Sequence, residues 1–101
     1  MLDLHISSGQ GILIETPSGD VEVLADEIQP EAKQVTVEVV VPDTWEVESF
    51  TAAYALHQEF TVQAPDGQIR IKVLRFRPRP DGTGGSVSLG IDAPRLWPIS
   101  R

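Results

Sequence analysis

Basic side chains that could contact the phosphates of a nucleic acid are concentrated in the second half of this sequence. Arg75, Arg77 and Arg79 alternate with uncharged residues, so on an extended strand they would share one face. Such a stripe can follow an RNA backbone, where each neutralised phosphate adds affinity through counterion release. It can also be a solvated outer face that protects an edge strand or pairs with acidic residues, and the turn rich in proline and glycine that follows favours this second interpretation. The basic residues of this half are Arg70, Lys72, Arg75, Arg77, Arg79, Arg95 and Arg101.

The other polar residues form no catalytic or metal-binding pattern. His5 and His57 have no cluster of partners and the chain has no cysteine, so neither general-base catalysis nor a zinc site is indicated. The acidic residues are scattered singly, without the pairing that glycosidase or calcium chemistry requires. The glycine-rich loop at 82–85 lacks the lysine and the following helix of a phosphate-binding loop. The sequence therefore predicts a protein that is not an enzyme and has no cofactor or metal.

Charge is divided unevenly along the chain. The 101 residues carry a net charge of −7, which for the whole molecule argues against a nucleic-acid partner. Residues 1–50 hold eleven acidic side chains and one base, Lys33, for a net charge of −10. Residues 51–101 hold four acidic and seven basic side chains, for a net charge of +3. Because the deficit belongs to the first half, the total does not exclude RNA binding by the second.

The overall composition is typical of one small folded domain. With 41% apolar and 23% charged residues, and no apolar run near the ~20 residues that cross a bilayer, the sequence predicts one compact domain and no membrane partner. The first residues lack the basic start and apolar core of a secretory signal, so we expect a cytoplasmic protein.

Alternating apolar residues predict strands along most of the chain. The alternation is clearest at 35–41, where four valines share one face of a segment that ends at Pro42. No window has apolar residues at helical spacing over three turns, so the predicted fold class is all-β. The same alternation recurs at 21–23, 69–73 and 87–91, and turn sequences separate these runs at 16–20, 64–68 and 78–85.

The sequence also repeats itself. A Pro-Xaa-Gly turn at residues 17–19 recurs at 65–67, an offset of 48. After a longer strand and loop in the second copy the offset becomes 52, and Pro42, Trp45 and Val47 correspond to Pro94, Trp97 and Ile99. The sequence therefore predicts two tandem units of five short strands each, residues 1–50 and 51–101. Neither unit is large enough to bury a good core alone, so the two should share one.

The second unit resembles a known family. The strand at 68–74, the block at 87–95 with its Gly-Ile-Asp-Ala-Pro-Arg motif, and the ending at 99–101 resemble the bacterial carbon storage regulator (CsrA/RsmA) family. The first unit has the matching opening, at 1–14. Its counterpart of the motif has diverged to Glu-Val-Val-Val-Pro at 38–42, so the first copy is the degenerate one.

Members of that family are homodimers of interleaved five-stranded chains. The resemblance implies that this chain is such a dimer fused into one polypeptide, a monomeric pseudo-twofold β-sandwich or barrel without the family's C-terminal helices. It also implies that the first strand, about 1–6, lies beside the last, about 96–101. The strand from 45 to about 55 would end the first unit and begin the second.

The family binds GGA sequences in hairpin loops of messenger RNA and so regulates translation, and the resemblance implies that function here. The family's critical arginine matches Arg101, and it matches Ser49 in the first unit, so only one site is expected to be retained. Arginine suits guanine because its planar fork can donate to O6 and N7, while Ala93 and Pro94 would supply main-chain contacts. The alternative is that Arg101 is only a solvated terminal charge. The RNA-binding residues implied are Leu4, Ile6, Asp92, Ala93, Pro94, Arg95, Ile99 and Arg101.

The aromatic residues admit a structural and a functional interpretation. Trp45 and Trp97 occupy equivalent places in the two units, which is typical of core or cross-strand packing. We expect packing for both, and also for Tyr54, rather than stacking on bases.

The acidic first unit leaves a second class of function open. A chain that kept this fold and lost RNA binding would be a protein-interaction module, for example an acidic antagonist that occupies the basic surface of a regulator or of another basic protein.

Overall fold

The computed structural model describes residues 1–80 and 84–101, and all the regular secondary structure of these residues is β-strand. The all-β fold class is therefore confirmed. None of these residues forms a helix long and apolar enough to cross a membrane. The strands are β1 Leu2–Ser7, β2 Gly11–Thr16, β3 Gly19–Gln29, β4 Gln34–Val40, β5 Phe50–Ala55, β6 Glu59–Ala64, β7 Gly67–Pro78, β8 Gly85–Asp92 and β9 Ile99–Ser100.

The strands form two antiparallel sheets. One has four strands in the order β1-β8-β7-β6, and the other has five in the order β5-β4-β3-β2-β9. Alternation of apolar and polar residues gives each sheet one apolar face. The two apolar faces contribute to one core, in which Val37 and Ile14 of the five-stranded sheet and Ile71 and Leu89 of the four-stranded sheet are fully buried.

Each half of the chain lends its first strand to the sheet built by the other half. β1 pairs with β8, with Leu2 opposite Ile91, and β5 pairs with β4, with Phe50 opposite Val39. These two pairings correspond to each other at the offsets of 48 and 52 found in the sequence. Neither sheet is complete without a strand from the other half, so the core is common to both.

Local details repeat at the same offsets. The Ser7 N–H donates to the Gln10 side-chain oxygen at 2.8 Å, and the Ala55 N–H donates to the Gln58 side-chain oxygen at 3.0 Å. Both third strands contain a bulge at the same place, between Ala25 and Glu27 in β3 and between Val73 and Arg75 in β7. The Ser18 hydroxyl donates to the Asp66 carboxylate, so two turns that are 48 residues apart meet each other.

Two expected strand positions were wrong. β1 does not pair with the last strand: it pairs with β8 in the four-stranded sheet, whereas β9 belongs to the other sheet and pairs there with β2, with Ile99 opposite Ile14. Residues 45–49 are not part of a strand, and β5 begins only at Phe50.

The missing strand at 45–49 has a geometric cause. β4 ends at Val40 and β5 lies directly beside it from Phe50 onward, so the connection must return to β4. The Ser49 hydroxyl accepts a hydrogen bond from the Val41 N–H at 2.9 Å and holds the end of the connection there. The described part of the first half therefore supplies four strands instead of the expected five.

Candidate nucleic-acid interface

The first and last strands meet at the seam between the two sheets. β1 is an edge of the four-stranded sheet and β9 is an edge of the five-stranded sheet. The Arg101 Nη1 group donates to the His5 carbonyl oxygen of β1 at 3.0 Å, so this side chain links the two edges. A guanidinium carries five N–H donors, and this bond leaves most of them for a ligand. Arg101 is exposed, as a binding residue must be.

A groove beside this seam gathers most of the residues expected to bind RNA. Its volume is about 340 Å³, and it is lined by Met1 and by Leu2 at the start of β1. Leu2 is 44% exposed, and sequence reasoning missed it because its type differs little from the core leucines. Five residues of the expected set line the same groove: Asp92, Ala93, Pro94, Arg95 and Ile99. Arg101 does not line it and instead borders a separate groove with residues 11–13, Glu22 and Leu24.

The two expected residues within β1 have different environments. Ile6 lies opposite Val87 and its side chain is 1% exposed, so it belongs to the core. The expectation that Ile6 contacts RNA is therefore corrected: an alternating strand sends this residue inward with Leu89 and its neighbours. Leu4 is partly buried and packs against the same core.

The hydrogen bonds of His5 fix the carbonyl that Arg101 contacts. The His5 ring nitrogens bond the Ser88 hydroxyl at 2.9 Å and the Ser86 hydroxyl at 2.7 Å. Both serines lie on β8, so the ring fastens β1 to its neighbour. Sequence reasoning found no partners for His5, although two serines that are two residues apart in a strand share one face and can both reach one side chain.

The basic stripe on β7 lies on the outer face of the four-stranded sheet. Arg70 and Lys72 lie opposite Asp92 and Gly90, whereas Arg75 and Arg77 lie opposite Ser88 and Ser86. In a regular strand the even-numbered pair, Arg70 and Lys72, would face away from the odd-numbered pair, Arg75 and Arg77. All four share the outer face because the bulge after Val73 shifts the alternation by one residue.

Acidic side chains lie beside this stripe. Arg75 pairs with Asp3 at 3.0 Å, and Arg70 pairs with Glu59 at 3.2 Å and more loosely with Asp92 at 4.0 Å. These pairs support the interpretation of the stripe as a solvated, partly neutralised face. The sequence predicts that the stripe is followed by a turn at 78–85, and Asp81, Gly82 and Thr83 of that segment lie outside the described residues.

The three aromatic residues considered for base stacking are packing residues. Trp45 and Trp97 are 7% and 8% exposed, and the Trp45 indole donates to the Ser18 carbonyl at 3.1 Å. Tyr54 stacks on Phe60 with ring centroids 4.1 Å apart. Burial raises the pKa of the Tyr54 hydroxyl above its ordinary value.

The equivalent place in the first half has a different chemistry. Ser49 stands where the second half has Arg101, and its hydroxyl is bonded to the Val41 N–H. The groove there is lined by Asp43, Glu46 and Glu48. Three carboxylates repel an RNA backbone, so the two ends of the molecule are not equivalent in charge.

Across residues 1–80 and 84–101, no group of three or more histidine and acidic side chains is arranged to hold a metal ion. In the comparisons with known proteins, no family model, no curated protein and no solved structure matches this chain.

Proposed function

We propose that this protein is an RNA-binding regulator of translation similar to the carbon storage regulators, and that it binds one GGA-type hairpin loop. The site is the seam formed by β1 and residues 92–101. The observation that carries the proposal is the Arg101 guanidinium, which is held across the seam by the His5 carbonyl at 3.0 Å. The proposed regulator is a cytoplasmic monomer without enzymatic activity.

The finer architecture belongs to the same proposal. We infer that the chain is two carbon storage regulator-like repeats fused as one interleaved domain, 1–50 and 51–101. The matching registers of β1 with β8 and of β5 with β4 support this inference. So does the contact between Ser18 and Asp66, since equivalent residues of two units meet where they lie beside a pseudo-twofold axis.

Each part of the seam has a role in the proposed complex. Arg101 donates to O6 and N7 of a guanine with the N–H groups that its bond to His5 leaves over. Ala93 and Pro94 offer main-chain groups at the groove, where unpaired loop bases can be bound by their edges. Leu2 and Ile99 give the groove an apolar surface for a base, and Arg95 is exposed for a phosphate contact.

A binding measurement with a matched charge control tests this function. We expect a fluorescently labelled GGA hairpin to bind more tightly than a hairpin with a scrambled loop. Arg101→Ala should weaken GGA binding by about tenfold or more, because a bidentate arginine–guanine contact is worth about 1–3 kcal/mol. Lys33→Ala removes the same charge from the turn between β3 and β4 and should change binding little. Equal affinities for wild type and Arg101→Ala would contradict the mechanism.

The salt dependence gives a second readout of the same site. For a single strand the slope of log K against log salt is about −0.7 for each phosphate contacted. With Arg95 as the main phosphate contact, we expect a slope shallower than about −2. A much steeper slope would indicate more phosphate contacts, and would therefore assign RNA binding to the basic stripe of β7 instead.

One observation favours a second candidate, a protein-interaction module that binds a basic partner. The outer face of the five-stranded sheet carries Glu22, Glu27 and Glu38, whose register positions place them together. This candidate predicts no binding to either hairpin in the same titration and a complex with a basic protein that weakens with salt.

A further inference from the structure

The outer edge of β6 lacks the strand that covers the equivalent edge of the other sheet. β2 lies between β3 and β9, and the Glu15 N–H donates to the Pro98 carbonyl at 2.9 Å. β6 is the counterpart of β2 at an offset of 48, but it ends the four-stranded sheet. No strand in the described part of the chain pairs with its outer edge.

The backbone of β6 is suited to pairing with an added strand. Gln63 is the counterpart of Glu15, so its N–H points away from β7. Thr61 points the same way, because backbone groups alternate in direction along an antiparallel strand. β6 has no lysine, no proline and no bulge in its pairing with β7, and these are the features with which proteins usually block a free edge.

A groove continues the edge. It has a volume of about 410 Å³ and is lined by residues 44–47 and 63–65. The equivalent groove, of about 400 Å³, is lined by residues 15–17 and 96–98, and there the chain runs on directly into β9. In the first half the chain turns back to β5 at Phe50 instead, so the groove and the free edge of β6 lie together.

We propose that the edge of β6 is a binding site for an extended, basic peptide segment of a protein partner, which adds a fifth strand to the four-stranded sheet. Main-chain hydrogen bonds to Thr61 and Gln63 would supply affinity, as in other complexes formed by strand addition. An apolar peptide residue opposite Val62 takes the place that Ile99 takes opposite Ile14, where it packs against the core.

The acidic connection between β4 and β5 determines which charges are favoured at the two ends of the peptide. Asp43, Glu46 and Glu48 are exposed in the segment that leads past the groove. An incoming strand with Lys or Arg on either side of its apolar residues is therefore favoured, and an acidic one is repelled. This site is separate from the β1–β9 seam and does not depend on RNA binding there.

Nuclear magnetic resonance titration of the full chain tests the proposal. The probe is the peptide KKTISIKK, with EETISIEE and the proline-blocked KKTPSPKK as controls. We expect shift changes confined to residues 44–47 and 59–65, with the basic peptide only. Thr61→Pro should weaken binding by at least about tenfold, since it removes an outward N–H while sparing the bonds to β7.

Two charge-reversal double variants distinguish specific binding at the β6 edge from general attraction of a basic peptide to an acidic protein. Glu46→Lys with Glu48→Lys should weaken binding by at least about fivefold. Asp26→Lys with Glu31→Lys makes the same charge change at two exposed positions, in β3 and in the turn that follows it, and should stay within about twofold of wild type.

Four results would overturn the proposal. They are the absence of binding at about 1 mM peptide, shift changes outside the two segments, equal weakening by both double variants, and a concentration-dependent dimer formed through β6. The last result would make a second copy of this chain the occupant of the edge.

Discussion

Arg101 and Ser49 occupy equivalent positions in the two halves, and their side chains make opposite kinds of contact. Arg101 reaches across the seam to the His5 carbonyl at 3.0 Å. Ser49 turns back to the Val41 N–H of its own half at 2.9 Å. A guanidinium has spare donors after such a bond, whereas a hydroxyl has at most one. At this scale the proposed RNA-binding end differs from its counterpart by the Arg101 guanidinium, in addition to the carboxylates that line the groove of the first half.

Tyr54 gives a residue-scale prediction about pH. Burial raises its pKa in the folded state above the ordinary value of 10.0, so on raising the pH the unfolded chain loses this proton first. The free energy of unfolding should therefore fall as the pH rises through 10. Tyr54 is the only tyrosine, so tyrosinate absorbance reports it alone, and its midpoint in the folded protein should exceed that in denaturant.

Tyr54→Phe is the matched variant for this effect. It keeps a ring that can stack on Phe60 and removes the titrating hydroxyl, so its loss of stability at alkaline pH should be smaller. An identical alkaline loss in both proteins would assign the effect to other groups.

At the scale of elements, the bulges in β3 and β7 determine which charged side chains face outward from each sheet. In strict alternation Arg75 and Arg77 would face inward with Ile71 and Val73, where a charge would be costly. The extra residue in β7 shifts the alternation and turns them outward. The bulge in β3 does the same for Glu27.

β1 gives an element-scale prediction about stability. Ile6→Ala should cost about 2–5 kcal/mol, since it leaves a cavity in the shared core. Leu2→Ala is the control on the same strand and should cost less than about 1 kcal/mol, because Leu2 is 44% exposed. Urea unfolding measures both. Similar costs for the two variants would contradict the assignment of Ile6 to the core.

The two sheets have outer faces of opposite character at the scale of the whole molecule. The outer face of the four-stranded sheet carries the basic stripe of β7, with Asp3, Glu59 and Asp92 beside it. The outer face of the other sheet includes Glu22, Glu27 and Glu38. The net charge of −7 is thus distributed unevenly, with the acidic excess on the outer face of the five-stranded sheet.

Strand exchange predicts that the two halves unfold together. Each half contains one tryptophan, so Trp45→Phe and Trp97→Phe leave a fluorescent probe in the other half. In each variant the thermal transition followed by fluorescence should coincide with that followed by far-ultraviolet circular dichroism. Separate transitions would contradict a shared core, because one half could then unfold while the other half stayed folded.

The sequence determined the features that depend on local spacing. Alternating valines and isoleucines placed the strands, and the Pro-Xaa-Gly turns and tryptophans showed the repeat. The same repeat predicted that Trp45 and Trp97, which are equivalent in the two units, pack. The five residues of 92–99 that line one groove were not found from spacing but from the resemblance to the carbon storage regulators.

Only the tertiary structure decided which strands pair and which side chains face outward. β1 pairs with β8 rather than with the last strand, and residues 45–49 form no strand because the chain returns at once to β4. The pairing buries Ile6, brings His5 to two serines and places Arg101 on its carbonyl. These contacts join residues more than eighty positions apart, and their partners depend on how the two sheets close over one core, which no local pattern specifies.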